Sequence, residues 1–158
     1  MTNGLTPNGT RGAHIPKQVF RLINPPMIAL FRLLRGRGIR IKGRPLLLLT
    51  TVGAKSGRSH TAPLLYTSDG PDRWLVAASS GGMAKHPAWY VNMVRNPGQV
   101  WVEVSGRKVR VELDSLTGAD REAAWSLIKS VAPIYGTYEA RTDREIPVIR
   151  LTPAVIAQ

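Results

Sequence analysis

The sequence predicts a mainly β domain with a few short helices, folded as a small barrel. One observation is Pro45–Val52, a nearly continuous apolar run with the length of a single central strand. A second is the pair Val100–Val104 and Val109–Leu113, each alternating apolar and polar residues around the turn Ser105-Gly106-Arg107, which reads as a hairpin. The third is the balance of patterns: about six strand-like runs with only short helical insertions favour a barrel over a doubly wound sheet. At 158 residues the chain is most simply one domain, large enough for a core without staples.

Taken in order, residues 1–15 are rich in Gly, Thr, Asn and Pro without periodicity, which predicts a disordered lead-in. Lys17–Ile23 fits one or two helical turns, with Pro25-Pro26 as an interruption. Met27, Leu30, Phe31 and Leu34 then follow helical spacing, flanked by Arg32, Arg35 and Arg37. Two readings of this helix stay open: its apolar face packs on the domain, or it lies in a lipid interface. The segment 1–35 is therefore set apart from a domain spanning 36–158. Gly36–Gly43 is a basic turn and short strand, and Thr61–Thr67 is the partner of the central run. Ser68-Asp69-Gly70-Pro71-Asp72 is a turn, and Trp74–Ser79 a further strand ending in Ser79-Ser80-Gly81-Gly82. Pro87 opens a short helix carrying Trp89, Tyr90, Met93 and Val94, closed by Asn96-Pro97. Thr117 and Asp120 start a helix to about Ser130, with Ala124, Leu127, Ile128 and Val131 as its buried stripe. Pro133–Arg144 reads as an irregular loop bearing tyrosines, and Ile146–Leu151 as the last strand. Trp74, Trp101 and Trp125 fall at core positions of these patterns.

Charge is distributed unevenly. The net charge is +12, and residues 1–68 hold eleven Lys/Arg with no Asp or Glu; the other eleven bases and all ten acids follow. Such a field attracts nucleic acid, anionic lipid or a polyanionic small molecule. The arginines are not interleaved with aromatics and no nucleic-acid module is present, which argues against the first. The absence of cysteine excludes disulfides and thiolate chemistry, and His14, His60 and His86 match no metal-ligand spacing, so no metal is expected. No stretch reaches the roughly 18 apolar residues of a membrane span, and the N-terminus lacks a secretory pattern. The expectation is a cytoplasmic protein, peripheral at the inner face of the membrane if residues 17–44 engage anionic lipid, and a monomer or weak dimer.

The loop between the central run and its partner carries Gly53, Lys55, Ser56, Gly57 and Arg58. Exposed N–H groups, a hydroxyl and two cations in one turn suit an anionic group such as phosphate, although a solvated hairpin loop has the same composition. The frame of a Walker A loop is missing, no G-x-G-x-x-G follows a strand, and neither G-x-S-x-G nor a helical His-Glu-x-x-His occurs. What remains are three loops at strand ends: G-x-K-S-G-R, A-A-S-S-G-G running into H-P-A-W-Y-x-N, and Y-G-T-Y before T-D-R.

In order and spacing, from about Ile39 to Pro153, these three segments resemble the deazaflavin-dependent nitroreductase family. That family consists of reductases that use reduced coenzyme F420 on a split β-barrel of the FMN-binding kind. The resemblance implies that Lys55, Ser56, Gly57 and Arg58 hold the phosphate of F420, with His60 and Pro63 near its ribityl chain or ring. It implies Ala77, Ala78 and Ser79 along the ring edge, Gly81 and Gly82 allowing close backbone approach, and Trp89, Tyr90 and Asn92 on the helix that closes the ring site. Tyr135 and Tyr138 would border the acceptor pocket and include the catalytic proton donor, a relayed water being equally admissible. His60 departs from the residue types expected there, and Ala132 stands where the nitroreductase archetype has a further tyrosine. The implied activity is hydride transfer from reduced F420 to a quinone, an enone or unsaturated lactone, or a nitro compound. The alternative is a non-catalytic split-barrel protein that binds a flavin-like or other small ligand.

Overall fold

Four leucines in succession, Leu46–Leu49, are at most 5% exposed, because the strand that carries them is covered on both faces. The computed structural model describes residues 4–155. In chain order it comprises α1 (Lys17–Leu33), β1 (Arg40–Ile41), β2 (Arg44–Val52), β3 (Ser59–Leu65), β4 (Thr67–Ser68), β5 (Trp74–Ala77), α2 (Ala88–Arg95), β6 (Val100–Val104), β7 (Arg107–Ser115), α3 (Gly118–Val131), α4 (Ile134–Arg141) and β8 (Val148–Pro153). A single 3-10 turn, Ser80–Gly82, lies between β5 and α2.

The strands form one antiparallel sheet in the order β1-β2-β6-β7-β8-β5-β4, with β3 on the free side of β2. β7 turns the corner: Arg107–Arg110 pair with β6, and Val111–Ser115 pair with β8. The sheet curls around Leu47, Leu49, Val76, Val102, Val111 and Leu151 as its inner core. Side chains alternate across a strand, so Leu46 and Leu48 point outward, where Phe31 of α1 covers them together with Met27 and Ile28. Leu75 and Val148 likewise face outward, into a second core made by Trp125, Ile128 and Tyr135 of α3 and α4. Truncating any of these leucines to alanine should cost about 2–5 kcal/mol.

Several local expectations give way to tertiary packing. α1 runs unbroken through Pro25 and Pro26. Both prolines are exposed, so the carbonyls that lose an intrahelical partner can be met by water. Pro133–Arg144 is not an irregular loop, because Ile134–Arg141 is helical and held by Tyr135 in the second core. On α3 the buried stripe is Arg121, Ala124, Trp125 and Ile128, while Leu127 and Val131 are exposed. The segment before α1 is not a free lead-in where described. Gly9 N–H donates to Ala84 O (2.8 Å), Ala13 N–H to Gly82 O (2.9 Å), and Asp143 accepts from the N–H groups of Thr10 and Arg11 (2.8 and 2.9 Å). Residues 1–3 of that expected lead-in lie outside the described residues. Among the described residues no helix is long and apolar enough to cross a membrane.

Candidate active site

The cationic loop closes on itself at the end of β2. Gly53 N–H donates to Arg58 O (2.8 Å), Gly57 N–H to Gly53 O (3.0 Å), and Arg58 N–H to Ser56 Oγ (3.2 Å). Gly57 adopts φ +69°, and a Cβ on Gly53 would lie 2.4 Å from Ser56 Oγ, so both glycines are needed for this shape. Lys55, Gly57 and Arg58 face solvent, and among the described residues neither cation has a carboxylate partner. Ser56 turns its hydroxyl inward, toward Arg58 N–H and His60 Nε2 (3.4 Å). The donor set is thus two free cations on a preformed loop, which fits a phosphate.

α2 ties this loop to the rest of the site. Ala54 N–H donates to Asn92 Oδ1 (3.1 Å), Asn92 Nδ2 to Thr51 Oγ1 (3.3 Å), and Asn96 Nδ2 to Val52 O (3.1 Å). Asn92, read as a ring-site residue, is 8% exposed and serves as this tether. At the other end of α2, Tyr90 is only 1% exposed, packed edge-on to Trp89 and 4.9 Å from the His86 ring. Trp89 is half-buried and packs against the inner core.

The strand register separates two residues expected together. His60 pairs with Thr51 and Pro63 with Leu48, so they lie on opposite faces of β3. Pro63 sits on the face that α1 covers, while His60 stays beside the cationic loop. The side chains of His60 and Pro63 therefore do not meet on one face of β3, because residues an odd number apart on a strand point to opposite sides.

The second half of the site is the turn after β5. Ser80, Gly81 and Gly82 all have positive φ (47°, 64° and 83°), and a Cβ on Gly82 would lie 2.7 Å from Tyr138 O. That contact seats the turn on α4. Ala78 is buried in the inner core, whereas Ala77 packs with Tyr138 against the second core. Tyr135 and Tyr138 meet edge to face at 5.6 Å. Tyr135 is 7% exposed and also packs on Trp125; burial, with Tyr138 adding and Arg44 opposing, pushes its hydroxyl up to about 12. It behaves as a core aromatic, while Tyr138 remains half-buried at the edge.

Composition missed the residues that hold this turn. Arg144, 6% exposed, donates to Ser79 O (2.7 Å) and Met83 O (2.8 Å) and approaches His86 Nδ1 (3.2 Å). His86 Nε2 in turn lies 2.8 Å from Thr6 O, and its pKa is lowered, chiefly by burial. The signal was the T-D-R triplet, in which Thr142, Asp143 and Arg144 all bind the N-terminal segment or the turn. Clefts of about 230 and 370 Å³ open elsewhere, around Arg35 at the far end of β2. The site is placed by its chemistry rather than by volume, with α2 and its flanking His86 linking the loop to the turn.

With this geometry in place, likeness to known proteins becomes informative. A sequence model of the F420H(2)-dependent quinone reductase family matches residues 27–153. The F420H(2)-dependent quinone reductase Rv1261c of Mycobacterium tuberculosis is 38% identical over 144 residues, covering 88% of this chain and 93% of that protein. The solved F420-H2 dependent reductase FDR-A superposes with TM-score 0.61 at 36% identity, covering 72% of this chain and 99% of its own. A domain-swapped dimer superposes with TM-score 0.63 at 32% identity, covering 87% and 99%. The split-barrel architecture expected from the sequence is the one these relatives share. The chain belongs to the F420H(2)-dependent quinone reductase family.

Proposed function

We propose that this protein reduces a quinone with reduced coenzyme F420, and that the site formed by the cationic loop, α2 and the Ser79–Met83 turn is where it does so. The observation that carries this is the pair of unpartnered cations, Lys55 and Arg58, on a loop tethered through Asn92 to the helix that also reaches the turn. In this reading Lys55 and Arg58 bind the phosphate, and the N–H groups of the same loop assist. Trp89, Ser79 and Gly81 orient the ring, and α4 shields it from water. When bound, reduced F420 supplies the hydride, and the protein's share is orientation, exclusion of water and a proton. In this reading Tyr138 delivers that proton to the quinone oxygen, directly or through a water. Tyr135, holding its own proton to about 12, supports the ring of Tyr138 instead. The expected result is that Tyr138→Phe lowers turnover with cofactor affinity kept, while Tyr135→Phe mainly lowers stability. Loss of cofactor binding in both would remove α4 from the acceptor side. Enones and nitro compounds are secondary acceptors, to be ranked against menadione in the same turnover assay.

A second reading concerns α1, which carries two apolar seams. Met27, Ile28 and Phe31 face the barrel. Val19, Ile23, Leu30 and Leu33 follow a heptad spacing and remain 39–79% exposed, with Leu22 at 77% beside them. We take this seam as the surface that meets an anionic membrane and brings the site to lipid-soluble quinone. Arg32 pairs with Glu103 (3.0 Å), which leaves Lys17, Arg21, Arg35, Arg37, Arg40 and Lys42 to attract the surface. Juxtamembrane bases contribute about 1 kcal/mol each near an anionic surface. Sedimentation with anionic liposomes should fall in Leu22→Ser/Leu33→Ser, a variant that leaves the barrel-facing seam intact; undiminished sedimentation would remove the membrane role.

A further inference from the structure

We propose that the cleft of about 370 Å³ at the far end of β2, lined by Arg35, Arg37, Arg40 and Tyr66, holds the phosphodiester headgroup of an anionic phospholipid. The proposal rests on the reading above in which the exposed seam of α1 meets a membrane. It replaces a general attraction by one recognised group.

The cleft is built around an arginine in a place that favours glycine. α1 closes with paired bonds: Arg35 N–H donates to Arg32 O (3.2 Å) and Gly36 N–H to Phe31 O (2.8 Å). This closure needs residue 35 in the left-handed region, where helices most often carry glycine. Arg35 adopts φ +52° there, a strained conformation for a residue with a side chain. Its stem lies against the turn between β6 and β7, with Cβ 3.6 Å from where a Cβ on Gly106 would stand. Arg35 thereby lines this cleft and the neighbouring one of about 230 Å³. The same two bonds occupy Arg32 O and Phe31 O, carbonyls that would otherwise repel an anion at a helix C-terminus.

Positive charge at this end is not neutralised. Glu103 accepts from Nε and Nη2 of Arg32 (3.1 and 3.0 Å), and Asp72 pairs with Arg107. Arg35, Arg37 and Arg40 then have no carboxylate partner among the described residues. One guanidinium N–H of Arg40 is fixed on Gly43 O (3.0 Å), which leaves its others for a ligand. Three forked cations on one concave surface suit the two unesterified oxygens of a phosphodiester. The volume lies in the range of small-ligand sites.

The surroundings favour a lipid as the source of that group. Leu33 and Leu34, 79% and 43% exposed, bring the apolar seam of α1 to the residue before Arg35. A headgroup in the cleft can therefore lay its acyl chains along that seam. The cofactor loop lies at the other end of the nine-residue β2, roughly 25–30 Å away, so F420 phosphate and headgroup do not compete.

The test is sedimentation of the intact protein with phosphatidylcholine vesicles, with and without phosphatidylglycerol. Wild type is compared with Arg35→Gly, Arg37→Gln and Lys17→Gln, each of which removes one positive charge. Diffuse attraction treats the three variants alike, at about fivefold each. The cleft predicts at least about tenfold weaker binding to phosphatidylglycerol vesicles in Arg35→Gly and Arg37→Gln, and at most about fivefold in Lys17→Gln. Arg35→Gly should melt at or above the wild-type temperature, because glycine relieves the left-handed strain, so its lost binding is not lost folding. Glycerophosphoglycerol should release wild type from the vesicles at an ionic strength where sodium chloride does not. Equal losses in all three variants, or release by inorganic phosphate as effective as by glycerophosphoglycerol, would overturn the cleft and leave the membrane reading standing. Failure of wild type to sediment with either vesicle would remove the membrane reading and the cleft together. Weaker F420 binding in the two cleft variants would assign the cleft to the cofactor, and tighter capture of a duplex DNA oligonucleotide than of vesicles would assign it to nucleic acid. Either result overturns the proposal.

Discussion

The two halves of the candidate site are built in opposite ways. The Lys55–Arg58 loop is exposed, bonded within six residues, and presents its cations to solvent. The Ser79–Met83 turn is enclosed, and its partners come from Ala13, Tyr138, Arg141 and Arg144, far along the chain. The difference matches what each would hold. A phosphate is recognised by charge, which long flexible cations deliver at little cost to the fold. A flat ring needs a fixed wall, which only packed backbone provides.

The largest expected effect tests the enclosed half. Gly82→Val places a side chain 2.7 Å from a backbone oxygen at φ +83°, so stability should fall by about 3 kcal/mol or more in denaturant unfolding. A loss of under about 1 kcal/mol would show that the turn can move away from α4. The exposed half should respond in binding rather than stability. Lys55→Ala or Arg58→Ala should each weaken F420 by about 1.5–3 kcal/mol while leaving unfolding within about 0.5 kcal/mol of wild type. Added salt should weaken wild type more than either variant, and unchanged affinity in both would reduce the loop to a hairpin. Asn92→Ala joins the two halves: removing the tether to Ala54 should cost about 1–2 kcal/mol of stability and some cofactor affinity together.

The same contrast explains what the sequence disclosed. The cationic loop was legible because, apart from the Ala54–Asn92 tether, the bonds that shape it lie within a few residues. The central strand was legible because burial on both faces leaves an unbroken apolar run, as Leu46–Leu49 show. The N-terminal segment read as disordered because it lacks apolar periodicity, yet it is held mainly by polar bonds to residues up to 133 positions away. α4 escaped notice for a related reason: a helix of eight residues containing Gly136 owes its existence to Tyr135 in the second core. The arginine behind the turn was visible only as part of a triplet, since nothing local announces a buried charge without a partner.

The smallest effect concerns how the enclosed half is strapped down. Asp143 has its pKa lowered from 3.8 to about 2, chiefly by the Thr10 hydroxyl and then by the Arg11 N–H. A depressed carboxylate contributes stability above its ordinary range and loses it as pH falls through the folded value. His86, lowered chiefly by burial and also by Arg144, acts in the same direction from the histidine range downward. Amide exchange in residues 6–13 should therefore rise as pH falls below about 6.5, and again from about 4 toward 2, after correction for intrinsic rates. Flat protection across that range would show that the segment is held by other contacts.

The most direct test of the whole account is anaerobic oxidation of reduced F420 by menadione, followed by the return of the oxidised cofactor's absorbance. Turnover should require both protein and quinone, fall sharply in Lys55→Ala/Arg58→Ala, and fail when reduced FMN or NADH replaces reduced F420. Turnover equally rapid with reduced FMN, or F420 binding without any quinone-dependent oxidation, would contradict it.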